Sequence, residues 1–235
     1  MVSTGAGISA ESGGRTFRGL NGLWNDFNPE EYATPEAFDN NPKKVWEFYE
    51  WRRQKYKTME PNAGHIALAD LEKMFPDFWL FTQNVDGLHQ KAGSKNLYEL
   101  HGTLWRAKCV YEGTVRPFLE TPLPELPPKC ECGAFLRPDV VWFGESLPAD
   151  LIELAMQKAS ICDAFLLIGT SATVQPAASL AWIAHENGAI VIEINPESTP
   201  ATEIADESFR GNAGLILPRL VKTLRAHDEE TSSAH

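Results

Sequence analysis

Long apolar runs are missing from this chain of 235 residues, and none approaches the roughly 20 residues of a membrane-spanning helix. Cysteine is scarce as well. Four in a chain this large (Cys109, Cys130, Cys132 and Cys162) do not make the dense framework of a disulfide-stapled secreted domain. Positive charge is in deficit, with 21 Lys and Arg against 32 Asp and Glu, a formal net charge of −11. That disfavours a general nucleic-acid or anionic-membrane surface. No charged-then-apolar leader opens the chain. Together these deficits lead us to expect a cytoplasmic enzyme or binding protein with neither nucleic acid nor membrane as a partner. What is present is ordinary globular composition, 43% hydrophobic and 23% charged, in a length that suits one domain plus an insertion.

Polar side chains concentrate where an apolar run stops. Phe78-Trp79-Leu80-Phe81 gives way to Thr82-Gln83-Asn84-Val85-Asp86-Gly87-Leu88-His89, and Asn96-Leu97-Tyr98-Glu99-Leu100 ends in the same manner at His101. Buried strands of an α/β sheet deliver groups in this way to their carboxyl ends, where ligands bind. Two such ends would gather the amides of Gln83 and Asn84, the carboxylate of Asp86 and the imidazole of His101. Histidine is the usual general base near neutral pH. The same residues also suit structural work, with Asn84 and Asp86 capping the next helix and His101 in a satisfied hydrogen bond.

Other stretches bear on that choice. Gly5, Gly7 and Ala10 match the G-x-G-x-x-G/A fingerprint of dinucleotide-binding loops. Only two or three residues precede it as a strand, and Asn25-Asp26 is loop-like where a paired acid belongs, so a hydride-transferring dehydrogenase fits poorly. A plain glycine turn is the alternative. The loop holding Gly13, Gly14, Gly19 and Gly22 carries Arg15, Phe17, Arg18 and Trp24, and reads as a flap over a ligand or as a surface loop. Thr34 and Pro35 open a helix as N-cap and N1, and a second helix begins near Pro42. On it Tyr49 and Arg52 share a face. A hydroxyl and a guanidinium there suit a carboxylate, although the spacing alone favours Tyr49 in the core and a solvated Arg52. A further helix spans 63–75.

The second half alternates between strand and helix. We expect strands at 140–143, Ala164–Ile168 and Ile190–Ile194, helices at 150–159, 180–186 and 218–225, and a frayed tail after Ala226. Gly169-Thr170-Ser171 suits a phosphate. Asn195 or Glu197 suits an adenosine ribose, or turn chemistry.

Seven of these motifs resemble, in order, the motif series of the sirtuins. They are Thr4-Gly5-Ala6-Gly7-Ile8-Ser9, Thr16-Phe17-Arg18-Gly19, Thr82 to His89, Leu100-His101-Gly102, Val140-Val141-Trp142-Phe143-Gly144-Glu145, Gly169-Thr170-Ser171 and Glu193-Ile194-Asn195. The likeness runs from about Thr4 to Leu224. Trp46-Glu47-Phe48-Tyr49-Glu50-Trp51-Arg52-Arg53 is further similar to the class III sirtuins, deacylases that accept acidic acyl groups. The resemblance implies an α/β fold: a Rossmann-type, mainly parallel sheet formed by residues 1–30, 58–101 and 140–225. A small module would come from 31–57 and 102–139, and 226–235 would be a disordered tail.

The resemblance implies NAD as cofactor, held by Gly5, Ala6, Gly7, Ile8, Thr16, Phe17, Arg18, Trp24, Gln83, Asn84, Asp86, Gly169, Thr170, Ser171, Asn195, Glu197 and Ala213. His101 would act as base on the ribose hydroxyls. Asp86 would hold the nicotinamide carboxamide, with Asn84 and Gln83 on the ribose and its ordered water. Phe17 and Arg18 would shield the reactive carbon. Val141 and Phe143 would pair with and enclose the acyl-lysine of a protein substrate. Ala33 would leave room for a longer acyl chain, and Tyr49 and Arg52 would bind its terminal carboxylate. Succinyl and malonyl groups are then expected ahead of acetyl, released as O-acyl-ADP-ribose together with nicotinamide. Protein ADP-ribosylation and a non-catalytic ADP-ribose or NAD sensor are the alternatives.

The inserted module departs from the family pattern. Sirtuins usually carry a tetracysteine zinc site there, whereas this chain has Cys109, then Glu112 at i+3, then the closed-up pair Cys130-Glu131-Cys132. Structural zinc normally takes four ligands, often as two C-x-x-C pairs. We therefore expect a module without metal, with Cys109, Glu112, Cys130 and Cys132 as the set that would hold zinc otherwise.

Overall fold

The computed structural model describes residues 1–16 and 22–233, so the flap residues Phe17 and Arg18 lie outside the described residues. Strands β1 (Val2–Thr4), β2 (Leu80–Thr82) and β3 (Leu97–Glu99) come from the first half of the chain. With β7 (Ala164–Ile168), β8 (Ile190–Ile194) and β9 (Glu207–Phe209) they form one sheet in the order β3-β2-β1-β7-β8-β9. Every neighbouring pair in it is parallel. The strand order reverses between β1 and β7, and in open sheets of this kind a ligand crevice lies outside the carboxyl ends at that point. The strand that the glycine fingerprint requires is thus present as three residues, all buried, at the centre of the sheet.

Alternation along the strands sorts the core into two layers, because successive side chains point to opposite faces. Phe81, Phe165, Leu167 and Val191 pack on one face with Ala155 and Ala159 of α6 (Ala149–Ile161) and Leu180, Ala181 and Ala184 of α7 (Ser179–Glu186). Val2, Leu80, Ile168 and Ile194 pack on the other with Leu68 and Leu71 of α4 (Ala63–Met74) and Leu217 and Val221 of α8 (Ala213–Ser233).

A third core belongs to the module. Helices α1 (Pro29–Tyr32), α2 (Pro35–Asn40) and α3 (Pro42–Lys57) each begin with a capping side chain and a proline, at Asn28-Pro29, Thr34-Pro35 and Asn41-Pro42. Strand β4 (Gly102–Cys109) pairs antiparallel with β5 (Val115–Pro117) on one side and β6 (Leu136–Val140) on the other. Val45, Trp46, Phe48 and Tyr49 of α3 bury against Leu104, Ala107, Cys109, Leu136 and Trp142. Arg53 is fully buried, pairs with Glu50 at 2.7 Å and donates to the carbonyls of Phe118 and Glu120. Removing one member of such a buried pair costs about 3–5 kcal/mol, so this contact firmly ties α3 to the second insertion.

Three expectations are corrected. The strand expected at 140–143 is instead β6, which ends at Val140; the next N–H groups leave the ladder, with Val141 donating to His101 O and Phe143 to Ala33 O, both at 2.9 Å. The last helix begins at Ala213 and not at Pro218, because Leu217 packs in the core and holds the turn before the proline. It also continues through Ser233, so most of the tail expected to be disordered is helical; extending an anchored helix costs far less than nucleating one.

Candidate active site

The glycine loop leaves β1 as a 3-10 helix, Ala6–Ser12, and not as the α-helix of the dinucleotide fingerprint. Its glycines are needed for backbone contact. A Cβ on Gly7 would sit 2.7 Å from Gly169 Cα, and Gly7 N–H donates to Gly169 O at 2.7 Å. Gly169 itself has φ +58, a conformation that favours glycine. The two loops at the switch point therefore interlock with no side chain between them. Beside them Thr170 is buried, whereas Ser171 and Glu197 are exposed at the ends of β7 and β8. Asn195 donates through Nδ2 to Thr170 O at 2.8 Å, which ties the β8 end to the β7 end. Ile8 is fully buried, and Ala213 is buried at the start of α8, where the next residue, Gly214, donates its N–H to Glu11.

The end of β2 carries the most organised polar cluster. Asp86 is buried and accepts the Leu88 N–H on one oxygen (2.9 Å) and the Ser9 hydroxyl on the other (2.7 Å). Burial pushes its carboxyl up from the usual range, against the pull of those two donors. Asn84 is buried and donates to Gly5 O at 3.0 Å and to Ser9 Oγ at 3.2 Å. Gln83 reaches Thr170 Oγ1 at 3.2 Å. Asp86 thus accepts the N–H of the first residue of α5 (Leu88–Ala92) from the position before the N-cap, which is Gly87, while Asn84 reaches back to the glycine loop; neither is itself the helix cap.

His101, just after β3, places Nδ1 3.0 Å from Gln83 O. A carbonyl only accepts, so Nδ1 carries the proton and Nε2 keeps its lone pair. Burial lowers the ring's pKa from 6.5, the Gln83 bond opposing it, and the imidazole is neutral at pH 7. That is the protonation state of a general base.

Sequence reasoning gave no role to Ser9 or His65. Ser9 joins Asn84 to Asp86, and His65 Nε2 lies 3.4 Å from its hydroxyl. Burial lowers His65 to a pKa of about 4, which keeps it neutral. Ser9 had a signal, since it closes the first glycine motif; His65 had only its place three residues after the helix cap Asn62.

In the module, Tyr49 and Arg52 of α3 are both buried, 2% and 4% exposed, with the guanidinium carbon 5.6 Å from the tyrosine ring centre. Tyr49 thus lies in the core, as the alternative reading of the spacing had it, but Arg52 is not solvated. Ala33 is buried in the same cluster, and Trp24 packs there against Phe48 and Phe143. Phe143 is 47% exposed and Val141 half-buried, but their N–H groups are already bonded within the chain. Strand-like pairing of a peptide there would therefore use other backbone groups. Thr16 accepts Leu23 N–H through its carbonyl at the edge of the flap.

Cys109, Glu112, Cys130 and Cys132 converge, their ligand atoms all within 4.8 Å of one another. The sulfurs of Cys109 and Cys132 stand 3.6 Å apart, and all four cysteines are free thiols. A tetrahedral zinc with Zn–S near 2.3 Å sets its sulfurs about 3.8 Å apart, so the donor set fits zinc. The case for a metal-free module rested on the missing C-x-x-C pairs; the fold supplies by a turn at 130–133 what the spacing did not.

Known proteins share this architecture. An NAD-dependent protein deacylase of Aquifex aeolicus (strain VF5) is 57% identical over 226 residues, 96% of this chain and 95% of that protein. A solved complex of a mutant Sir2 homologue with ADP ribose superposes with TM-score 0.95 at 47% identity, covering 97% of this chain and 92% of that one. A Sir2 homologue–NAD complex does so with TM-score 0.91 at 48% identity, covering 97% and 89%. The Sir2 family model matches residues 5–176, and with the parallel sheet and the polar cluster at its carboxyl edge this places the chain in the Sir2 family.

Proposed function

We propose that this protein is an NAD-dependent protein lysine deacylase that removes succinyl and malonyl groups, and acetyl groups less well. The observation that carries the acyl preference is the buried Tyr49–Arg52 pair, a hydroxyl and a permanent cation enclosed in the module core. NAD, when bound, supplies the ADP-ribosyl group that takes up the acyl group. The interlocked glycine loops, with Thr170, Ser171, Asn195 and Glu197 beside them, suit its phosphates and riboses.

Each residue then has a physical task. Asp86, aligned by Ser9 and the Leu88 amide, holds the nicotinamide carboxamide. Asn84 and Gln83 order the ribose. His101 Nε2 accepts a proton from a ribose hydroxyl. Val141 and Phe143 flank the acyl-lysine, and Ala33 leaves space for its chain. The free thiols suit a reducing, cytoplasmic setting. Mass spectrometry of one lysine peptide carrying acetyl, malonyl or succinyl, with and without NAD, tests the assignment. Acyl loss that requires NAD supports it; a peptide that gains ADP-ribose instead refutes it.

A pH dependence follows from His101. Its neutral form is the active one and its pKa is lowered, so the acid limb of kcat/KM should have its midpoint below 6.5, the ordinary histidine value. A midpoint at or above that value would assign the limb to another group.

The zinc site makes a separate prediction. Cys109, Glu112, Cys130 and Cys132 would hold the ion, whose part is to tie the end of β4 to the 130–133 turn. Protein purified without added zinc should contain about one zinc per chain, and its removal by a chelator should lower the melting temperature by several degrees. A zinc-free preparation with an unchanged melting temperature would restore the metal-free reading.

A further inference from the structure

The tyrosine of the proposed acyl clamp is oriented by a neighbour outside the clamp. Trp142 donates its indole N–H to Tyr49 Oη at 2.9 Å, and an indole nitrogen is only a donor. The Tyr49 oxygen is therefore the acceptor in this bond, and its single hydrogen is directed away from Trp142. Tyr49 is buried, and among the described residues no other partner of its hydroxyl is found. A buried hydroxyl hydrogen without an acceptor is costly, and an arriving carboxylate oxygen relieves that cost.

The indole itself is held from several directions. The Arg137 guanidinium carbon lies 3.5 Å from the centre of the Trp142 ring. Arg137 pairs with both oxygens of Glu145, at 2.6 and 2.8 Å, and donates to Val140 O at 2.9 Å. Glu145 Oε2 also accepts the Trp142 backbone N–H at 2.8 Å, while Glu145 N–H donates to Trp142 O at 3.0 Å. The short segment after β6 is thereby closed into a loop with one arrangement of its tryptophan.

We infer that Trp142, locked by Arg137 and Glu145, is a positioning and specificity-determining residue that aims the Tyr49 hydroxyl at the terminal carboxylate of an acidic acyl group. The inference rests on the acidic-acyl reading of Tyr49 and Arg52, and it adds the device that orients the tyrosine. A Trp142→Phe replacement removes the donor and keeps an aromatic ring beneath Arg137. The Tyr49 hydroxyl is then free to rotate, whereas an acetyl group, which has no carboxylate, does not sense the change.

The test measures kcat/KM on succinyl- and acetyl-lysine forms of one peptide with the wild type, W142F, Y49F and the double variant. W142F should lower succinyl kcat/KM about fivefold to tenfold, mainly through KM, with the acetyl value changed by less than about twofold. In the Y49F background the same change should leave the succinyl-to-acetyl ratio where Y49F set it, since the oriented hydroxyl is already gone. Equal losses on both peptides, or an undiminished loss in the Y49F background, would overturn the positioning role. A Y49F ratio equal to the wild type would overturn the acidic-acyl reading and the positioning role with it. If W142F does not fold, Glu145→Gln serves: it loosens Arg137 and should lower the ratio about threefold, again only when Tyr49 is present. An unchanged ratio there would count against the inference.

Discussion

Replacing His101 with alanine should lower NAD-dependent deacylation by about 10²- to 10⁴-fold, the range of a lost general base, while the protein stays folded. Among the described residues the ring makes one bond to the fold, from Nδ1 to Gln83 O, worth about 1 kcal/mol. Its neighbours in the sheet are held by backbone pairing, with Leu100 N–H donating to Thr82 O and Val141 N–H to the His101 carbonyl, and alanine keeps both. The variant should therefore melt within a few degrees of the wild type. Steady-state release of nicotinamide alongside circular dichroism separates the two effects. Normal turnover in a folded variant would remove His101 from the chemistry.

Arg52→Met should abolish most of the succinyl and malonyl activity and spare acetyl activity far more. A charged hydrogen bond to a carboxylate contributes about 1.5–3 kcal/mol, so succinyl kcat/KM should fall roughly tenfold to a hundredfold. Methionine is close to arginine in length and is apolar, which suits a position packed among Phe48, Tyr49 and Tyr56. The loss is then one of recognition and not of folding. A matched fall on acetyl and succinyl peptides, or no fall on either, would show that Arg52 is not the carboxylate's partner.

Much of the sheet was legible because parallel strands buried on both faces appear as largely apolar runs, of which β8 is broken only by Glu193. The bounds of β7 and β8 agree with those runs to the residue. Edge and module strands carry no such run. β9 is Glu207-Ser208-Phe209, and β4 mixes Arg106 and Lys108 with Leu104 and Ala107, so neither stands out from loop sequence. The final helix was misjudged at both ends, because proline at N1 is a statistical preference and burial of Leu217 outweighs it.

At the candidate site, residue types were readable and their connections were not. Asn84, Asp86 and His101 stood out by type and place, but the helix cap expected of Asn84 or Asp86 falls to Gly87, with Asp86 bonding the Leu88 N–H from the position before it. The Ser9 link between Asn84 and Asp86 joins residues more than 70 positions apart, which no local pattern reports. The Trp142–Tyr49 bond spans 93 positions and depends on the loop that Glu145 closes. Zinc ligation was obscured for a related reason. Spacing motifs assume one turn geometry, whereas Cys109 and Cys132 meet because the end of β4 pairs with Leu136 of β6 and the Lys129–Phe135 bridge folds the 130–133 turn beside it.

One reaction tests the central claim most directly: equimolar succinyl- and acetyl-lysine forms of a single peptide, incubated together with NAD and the wild-type protein, with the nucleotide products resolved by mass. O-succinyl-ADP-ribose in clear excess over O-acetyl-ADP-ribose, with one nicotinamide released per acyl group removed, is the predicted result. O-acetyl-ADP-ribose in excess, or nicotinamide released with no O-acyl product, would contradict it.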